Sequence, residues 1–212
     1  EPDPTMLPLG DDRLVDAPTV GGIMECRTDP EAGGAFKDGD WIDGMADDDV
    51  AYGGLGGDKI FGGAGNDTLY GEHDGDTVSG GAGDDILYGN QQNDLVAGDD
   101  GNDTLYGGKG NDAIAGGNGD DLIAGNRGDD TLSGGDGADT FAFTYGGGFE
   151  ADTITDFSLA EGDALDLSDL LGGALADADG AVLDDYLSIS VSGGNTVITY
   201  ETDGFGSPTD GT

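Results

Sequence analysis

Residues 107–124 read GGKGNDAIAGGNGDDLIA and contain two copies of one nine-residue pattern in direct succession. The same frame continues without insertion or deletion through eleven copies, from Gly44 to Ala142. Each copy begins with glycine and carries aspartate at its sixth position. One isolated Gly-x-x-x-x-Asp would carry no information, but eleven in register predict a repeat architecture whose copies stack. The aspartates are Asp49, Asp58, Asp67, Asp76, Asp85, Asp94, Asp103, Asp112, Asp121, Asp130 and Asp139.

The other loop positions of the frame are rich in glycine and asparagine. The first position is glycine in all eleven copies, the second in six and the fourth in eight. We expect these glycines to adopt φ > 0 and to bring backbone carbonyl oxygens close to an ion. The fifth position is Asn or Asp in eight copies, types that best tolerate the left-handed conformation. The predicted carbonyl donors are Gly54, Gly56, Gly63, Gly65, Gly81, Gly83, Gly101, Gly108, Gly110, Gly117, Gly119, Gly128, Gly135 and Gly137.

Positions seven to nine of each copy predict a short β-strand. Successive side chains of a strand point to opposite faces, so only the middle residue of each triplet faces inward. Ten of the eleven middle residues are large and apolar, which predicts a core one side chain thick that closes only when copies stack. These residues are Ala51, Ile60, Leu69, Val78, Leu87, Val96, Leu105, Ile114, Ile123, Leu132 and Phe141.

The clearest copies resemble the GGxGxDxUx nonapeptide of the RTX family, in which U is a large apolar residue. They occupy residues 62–70, 80–88, 107–115 and 116–124. The resemblance implies an all-β protein, a right-handed parallel β-roll that binds calcium. It also implies export by type I secretion machinery that reads a signal at the C-terminal end.

In such a roll two nonapeptides make one turn, so loops on one edge recur every eighteen residues. One edge then carries Asp49 and its successors to Asp139, and the other carries Asp58 to Asp130. Stacked loops lie about 4.8 Å apart, the strand spacing of a sheet. Carboxylate and carbonyl oxygens at this spacing suit Ca²⁺ rather than a transition metal. The gaps between stacked loops would hold up to nine calcium ions. The alternative is that the aspartates are merely solvated turn residues.

Three copies depart most from the pattern. Those beginning at Gly71 and Gly89 lack the second and fourth glycines, so we expect the sites of Asp76 and Asp94 to be the weakest. The first copy is also poor, as expected of a terminal cap. A more degenerate unit precedes it, in which Trp41 is predicted to cover the apolar end of the roll.

The composition predicts that folding depends on a counter-charge. The formal net charge is −40 over 212 residues, and only 35% of residues are hydrophobic. Little apolar burial then opposes chain entropy and self-repulsion, so cation binding supplies folding free energy. Six Lys and Arg residues cannot neutralise a phosphate backbone, which argues against a nucleic-acid partner. No apolar run predicts membrane insertion, and the N-terminus has no signal-peptide pattern.

The sequence divides into three regions. Residues 1–34 are predicted to be a linker or the fringe of an upstream domain, and their single Cys26 is read as a free thiol. Residues 35–142 form the predicted roll. Residues 143–212 resemble the C-terminal cap and secretion-target region of large RTX adhesins. There, residues 187–191 and 196–200 predict a β-hairpin. Asp152, Asp156 and Asp163 are read as an extra calcium site or as capping turns.

A column of tyrosines lies outside the calcium pattern. Tyr52, Tyr70, Tyr88 and Tyr106 occupy the ninth position of successive copies on one edge and should stack on one face. Such a ladder either stabilises the sheet through cross-strand pairing or presents an aromatic surface to carbohydrate. His73, the only histidine, is predicted to be solvated.

We expect no enzyme here, because one His and one Cys offer little for acid–base or covalent catalysis. The preferred interpretation is a secreted, calcium-folded module at the C-terminus of a bacterial surface adhesin. The alternatives are an accessory module of a secreted serralysin-like protease, lipase or alginate epimerase, and a carbohydrate-binding roll.

Overall fold

The computed structural model describes residues 13–15, 23–25, 39–144, 149–169, 187–192 and 195–201. Their strands are β1 Arg13–Val15, β2 Ile23–Glu25, β3 Trp41–Asp43, β4 Val50–Leu55, β5 Lys59–Ala64, β6 Thr68–His73, β7 Thr77–Ala82, β8 Ile86–Gln91, β9 Leu95–Asp100, β10 Thr104–Lys109, β11 Ala113–Asn118, β12 Leu122–Arg127, β13 Thr131–Asp136, β14 Thr140–Ala142, β15 Phe149–Ile154, β16 Ala164–Asp166, β17 Leu187–Ser192 and β18 Asn195–Glu201. No helix in the described part of the chain is long and apolar enough to cross a membrane.

The strands alternate between two sheets as the chain winds. The odd-numbered strands from β1 to β15 lie in one sheet, and the even-numbered strands from β2 to β16 lie in the other. Neighbouring repeat strands of a sheet are parallel and offset by eighteen residues, so Leu69 pairs with Leu87 and Ile114 with Leu132. Two nonapeptides therefore make one turn, and the predicted parallel β-roll is confirmed.

The core consists of the middle residues of the strand triplets. All eleven predicted inward residues are buried, ten of them with no exposed surface and Ile114 with 3% exposed. The residues on either side of each point outward and are mostly half-buried or exposed. Because each turn contributes only two inward side chains, every turn depends on its neighbours to exclude water.

The N-terminal part of the chain adds strands to the roll. Strand β1 pairs in parallel with β3, and β2 pairs in parallel with β4. The region predicted to be a linker, residues 1–34, thus contributes two short strands to the sheets. Cys26 lies outside the described residues.

The degenerate unit before the first copy is part of the roll, but the prediction for Trp41 is wrong. Ile42 is fully buried and pairs with Ile60, as a core residue of the repeat would. Trp41 precedes it and therefore points to the outer face. Its ring lies 5.1 Å from that of Phe61 and 5.8 Å from the Lys59 ammonium, so it packs on the side of the roll rather than over its end.

The C-terminal residues close the other end of the roll. Phe143 and Ile154 join the buried core, and Phe157, Leu165 and Leu167 pack against it. These residues form the apolar part of the predicted C-terminal cap. Strand β15 continues one sheet in parallel, and the antiparallel pair β17 and β18 follows it, which confirms the predicted hairpin.

The tyrosine column stacks as predicted. Successive ring centroids of Tyr52, Tyr70, Tyr88 and Tyr106 are 4.8, 4.8 and 5.0 Å apart. The ring planes differ by 3°, 2° and 13°. Each interior ring therefore covers the faces of its neighbours, and the column adds cross-strand stabilisation to its sheet.

Because the core is one side chain thick, substitutions at adjacent positions of strand β8 should change the free energy of unfolding by very different amounts. Leu87 is fully buried, whereas Ile86 is 39% exposed. In saturating calcium, Leu87→Ala should lower the free energy of unfolding by about 2–5 kcal/mol because it leaves a cavity. Ile86→Ala should cost about 0.5 kcal/mol. Equal losses for the two variants in urea denaturation would contradict the single-layer core.

Candidate metal centres at the two loop edges

The sixth-position aspartates form a hydrogen-bonded ladder along each edge of the roll. The backbone N–H of each donates to Oδ1 of the aspartate one turn later. The N–H of Asp49 lies 2.8 Å from Oδ1 of Asp67, and that of Asp67 lies 2.7 Å from Oδ1 of Asp85. Asp58, Asp76, Asp94 and their successors repeat this on the second edge. The backbone thus fixes the orientation of every carboxylate in the row.

The second oxygen of these carboxylates has no hydrogen-bond donor. Within the described residues, the buried Oδ2 atoms that accept none include those of Asp58, Asp67, Asp76, Asp85, Asp94, Asp103, Asp112, Asp121 and Asp139. These nine side chains are at most 4% exposed. A buried ionised carboxylate without compensation is costly, so a row of them favours bound cations. Within the described residues, no group of three His, Cys, Asp or Glu side chains is placed to hold a metal. Backbone carbonyl oxygens also border the row.

The first-position glycines bring these oxygens together, but not for the predicted reason. None of the eleven has a positive φ. Instead, a Cβ on Gly62 would overlap Oδ2 of Asp67 and would lie 2.6 Å from the carbonyl oxygen of Gly80 in the next turn. Only glycine leaves room for the carboxylate and the carbonyl to line the same small space. The carbonyl oxygens of this position are therefore site atoms that the sequence interpretation missed.

The second and fourth positions do adopt φ > 0, as predicted. Every residue at these positions from Met45 to Gly137 does so. The glycines lie between 101° and 144°, as Gly54, Gly63 and their equivalents show, a range that is strained for other residues. Where glycine is absent the residue lies between 70° and 80°, in the left-handed helical region. The non-glycine residues are Met45, Asp47, Glu72, Asp74, Asn90, Gln92, Asp99 and Asn126.

These two positions also bring their carbonyl oxygens to the gap between turns. A Cβ on Gly81 would overlap the carbonyl of Gly63, and one on Gly83 would overlap that of Gly65. The predicted carbonyl donors thus face the loop one turn later.

The fifth position carries out a different task from the predicted one. None of its Asn or Asp residues is left-handed. Instead, Oδ1 of each accepts the backbone N–H of the fifth residue one turn later, as from Asn102 to Asp84 at 2.9 Å and from Asp120 to Asn102 at 2.8 Å. This exposed ladder runs in the opposite direction to the aspartate ladder. Each loop is therefore tied to both of its neighbours.

The copies that begin at Gly71 and Gly89 hold non-glycine residues with positive φ at positions two and four. Glu72, Asp74, Asn90 and Gln92 all have φ of 70–80°. Gln92 Nε2 donates to Oδ1 of Asp74 at 2.9 Å, so the Asp74 carboxylate is already engaged. Weak cation binding at this pair of loops stays a prediction. His73 is exposed, as predicted.

Burial perturbs the carboxylates throughout the two rows. Desolvation raises the pKa of Asp85 to about 7 and that of Asp76 to about 8. Backbone N–H donors oppose this shift, and neighbouring aspartates add to it. A carboxylate that is hard to ionise without a counter-charge is one that a bound cation would stabilise in its ionised form.

The rows do not stop at the last repeat. Asp152 precedes Thr153, which pairs with Thr131, and its Oδ1 accepts the Asp130 N–H at 3.0 Å. Asp163 likewise precedes Ala164, which pairs with Thr140. Both aspartates thus occupy the sixth position of a further turn. The signal was present in the sequence, since DTI and DAL repeat the Asp-x-apolar triplet of the nonapeptides.

The donor set fits calcium. Its ligands are hard oxygens, from carboxylates and backbone carbonyls, and they recur at the spacing of stacked strands. The residues placed to hold an ion are the sixth-position aspartates together with carbonyls of positions one, two and four.

One family model matches the chain. It describes the RTX calcium-binding nonapeptide repeat in four copies, and it matches residues 36–69, 52–87, 70–105, 88–123 and 106–141. Together these matches span residues 36–141, half of the chain. No curated protein matches the chain.

The contrast between adjacent residues of one loop tests the role of the buried carboxylates. Asp85 is 1% exposed, whereas Asp84 is exposed. Asp85→Asn keeps the Oδ1 acceptor but removes the charge, so it should raise the calcium midpoint of folding several-fold. In EDTA, at a pH where the wild type is partly folded, the same variant should be at least as stable, because it cannot carry an uncompensated buried charge.

Asp84→Asn is the matched control and should change neither the calcium midpoint of folding nor the stability in EDTA appreciably. Far-UV circular dichroism during calcium and urea titrations would measure both effects. An Asp85→Asn variant that is less stable in EDTA as well would argue against a cation-compensated site.

The raised pKa values also predict the pH dependence of the cation-free roll. Unfolded aspartates titrate near 3.8, whereas the folded, cation-free carboxyls of Asp103, Asp121 and Asp76 have pKa values of about 6, 7 and 8. Between pH 3.8 and about pH 8 the folded state binds more protons than the unfolded state, so its stability falls as the pH rises. In EDTA the chain should be more folded at about pH 5 than at about pH 8.

Thermal melts followed by circular dichroism at the two pH values would measure this difference. The calcium-saturated chain is the control and should vary much less, because the ions hold the carboxylates ionised. A cation-free chain that gains structure as the pH rises would contradict the burial of uncompensated carboxylates.

Proposed function

Because the chain belongs to the RTX calcium-binding nonapeptide repeat family, we propose that it is a calcium-gated folding module of an exported bacterial protein. The observation that supports this most directly is the row of buried Oδ2 atoms without hydrogen-bond donors, such as those of Asp67, Asp85 and Asp103. These atoms lie beside backbone carbonyls, as a site for a hard cation requires. Calcium would neutralise the rows and tie consecutive turns together.

We infer calcium-gated folding from the large negative net charge and the small apolar core of the chain. With a net charge of −40 and two inward side chains per turn, the cation-free chain has strong self-repulsion and little apolar burial. Extracellular calcium modules bind at about 10⁻⁴ to 10⁻³ M, well above the calcium level of a cytosol. The chain would therefore stay unfolded during synthesis and fold on reaching the calcium outside the cell.

An unfolded chain is the form that a narrow export channel can pass. We propose type I secretion as the route, on the resemblance of residues 143–212 to the secretion-target region of RTX adhesins. The location would be outside the cell or on its surface. The cap would then serve both as part of the export region and as the cover over the end of the roll formed by Phe143, Ile154 and Phe157.

The preferred parent protein is a large surface adhesin, in which this module would direct export and fold after it. The alternative is an accessory module of a secreted protease, lipase or epimerase. Tandem extender domains encoded upstream would favour the adhesin, whereas an HExxH or G-x-S-x-G motif upstream would favour the enzyme. We propose no catalytic role for the roll itself, because its buried carboxylates are held in the loop ladders.

The tyrosine column favours a structural role over carbohydrate binding. Sugars stack on the open face of an aromatic ring, but Tyr70 and Tyr88 each lie between two other rings of the column. Their faces are covered, and only ring edges are left for a ligand.

A calcium titration tests the gating directly. The EDTA-treated chain should pass cooperatively from coil to β-structure between about 10⁻⁴ and 10⁻³ M calcium, as followed by far-UV circular dichroism. Magnesium at the same concentrations is the control and should fail, because it demands a smaller octahedral site and loses its water reluctantly. A chain already folded in EDTA near neutral pH, or folded equally by magnesium, would refute calcium gating.

A further inference from the structure

The row of aspartates on the first edge ends on a loop that does not belong to the repeats. The last nonapeptide loop, residues 134–139, is followed one turn later by residues 156–163, which we call the terminal loop. Ile154 pairs with Leu132, so Asp156 takes the place of the first glycine and Asp163 that of the sixth aspartate. The terminal loop has two more residues than a nonapeptide loop.

Asp163 reproduces the contacts of a ladder aspartate. Its Oδ1 accepts the backbone N–H of Asp139 at 3.2 Å, and the N–H of Ala164 donates to the carbonyl of Asp139 at 2.8 Å. The interior pair has the same arrangement, with Asp121 donating to Asp139 Oδ1 and Thr140 donating to the Asp121 carbonyl. Asp163 is also 6% exposed, so it is a second buried carboxylate at this end.

The terminal loop holds Asp163 in place from within. The N–H of Ser158 donates to Asp163 Oδ2 at 2.7 Å, and the N–H groups of Glu161, Gly162 and Asp163 lie 3.1–3.3 Å from the Ser158 carbonyl. Gly162 has a φ of 113°, so the residue before Asp163 needs glycine. The turn therefore fixes the carboxylate before any ion is bound.

The side chain of Asp139 gives a second, independent indication that a ligand binds here. Its side chain is 1% exposed, and its Oδ2 accepts no hydrogen bond, as in the interior loops. It belongs to the last copy, so no further nonapeptide loop follows it on this edge. Asp156 is committed elsewhere, because it accepts the N–H groups of Gly134 and Gly135 and the hydroxyl of Ser133.

We infer that the terminal loop completes one additional calcium site with Asp139, in which Asp163 supplies the carboxylate that a twelfth nonapeptide would have provided. The inference rests on the proposed calcium binding by the repeats. It raises the number of ions above the nine gaps between nonapeptide loops. It also makes the cap a part of the metal row and not only an apolar cover.

The test is the number of calcium ions bound per chain at saturation, measured by equilibrium dialysis and native mass spectrometry. Asp163→Asn keeps the Oδ1 acceptor for the Asp139 N–H but removes the charge, and it should lose one ion relative to the wild type. Glu161→Gln is the control from the same loop, since Glu161 is exposed, and it should lose none. An unchanged count in Asp163→Asn would overturn the inference.

If Asp163→Asn does not fold in calcium, Asp163→Glu decides the matter, because it keeps the negative charge but displaces the carboxylate. It should weaken the affinity for one ion in a calcium titration, and unchanged affinities for all ions would overturn the inference. Failure of the proposed function would look different, because the wild type would then bind no calcium and its circular dichroism would not respond to it.

Discussion

The structure depends on the compensation of buried carboxylates that recur at the spacing of a β-sheet. Each turn places an aspartate under the next, turns one oxygen toward a backbone N–H, and leaves the other in a space lined by carbonyl oxygens. Within the described residues, the second oxygens of nine of these aspartates accept no hydrogen bond. The proposed binding of hard cations at the loop edges would compensate these carboxylates and would link the architecture to the calcium concentration around it.

The small apolar core would increase the dependence of folding on bound cations. A roll with two inward side chains per turn gains little apolar burial, so hydrophobic packing alone cannot outweigh the repulsion of a chain with net charge −40. Larger inward residues would have made folding less dependent on ions. The tyrosine column and the cover of Phe143 and Ile154 add apolar contacts at one face and one end. These contacts stabilise the roll in addition to the proposed cation binding.

The repeat made most of the fold predictable, because one frame fixes burial, pairing and loop position at once. Leu87 and Leu105 are core residues for the same reason, so a single inference about the eighth position placed eleven side chains. The local conformation of the loops was harder to predict. Glycine at the first position and Asn or Asp at the fifth both suggested φ > 0, yet the structure uses the first for close approach and the fifth as a hydrogen-bond acceptor. Such contacts join residues one turn apart, and composition within one copy does not reveal them. The location of Trp41 was predicted wrongly because its position in the strand triplet, and not its size, decides which face of the sheet its side chain lies on.

The two hydrogen-bond ladders explain why the loops should respond to ions as a unit. At the sixth position an N–H reaches the side chain of the following turn, as from Asp85 to Asp103, whereas at the fifth position it reaches the preceding turn, as from Asn102 to Asp84. An isolated turn has neither partner, so it loses both bonds and also the stacking of its core. Stability in such a one-dimensional array resides in the interfaces between turns. A cation held between two loops would strengthen the same interfaces, and ion binding and turn addition would then be coupled at every step. The end of the row is then as important as its interior, because the last loop keeps its order only if the cap supplies what another turn would have given.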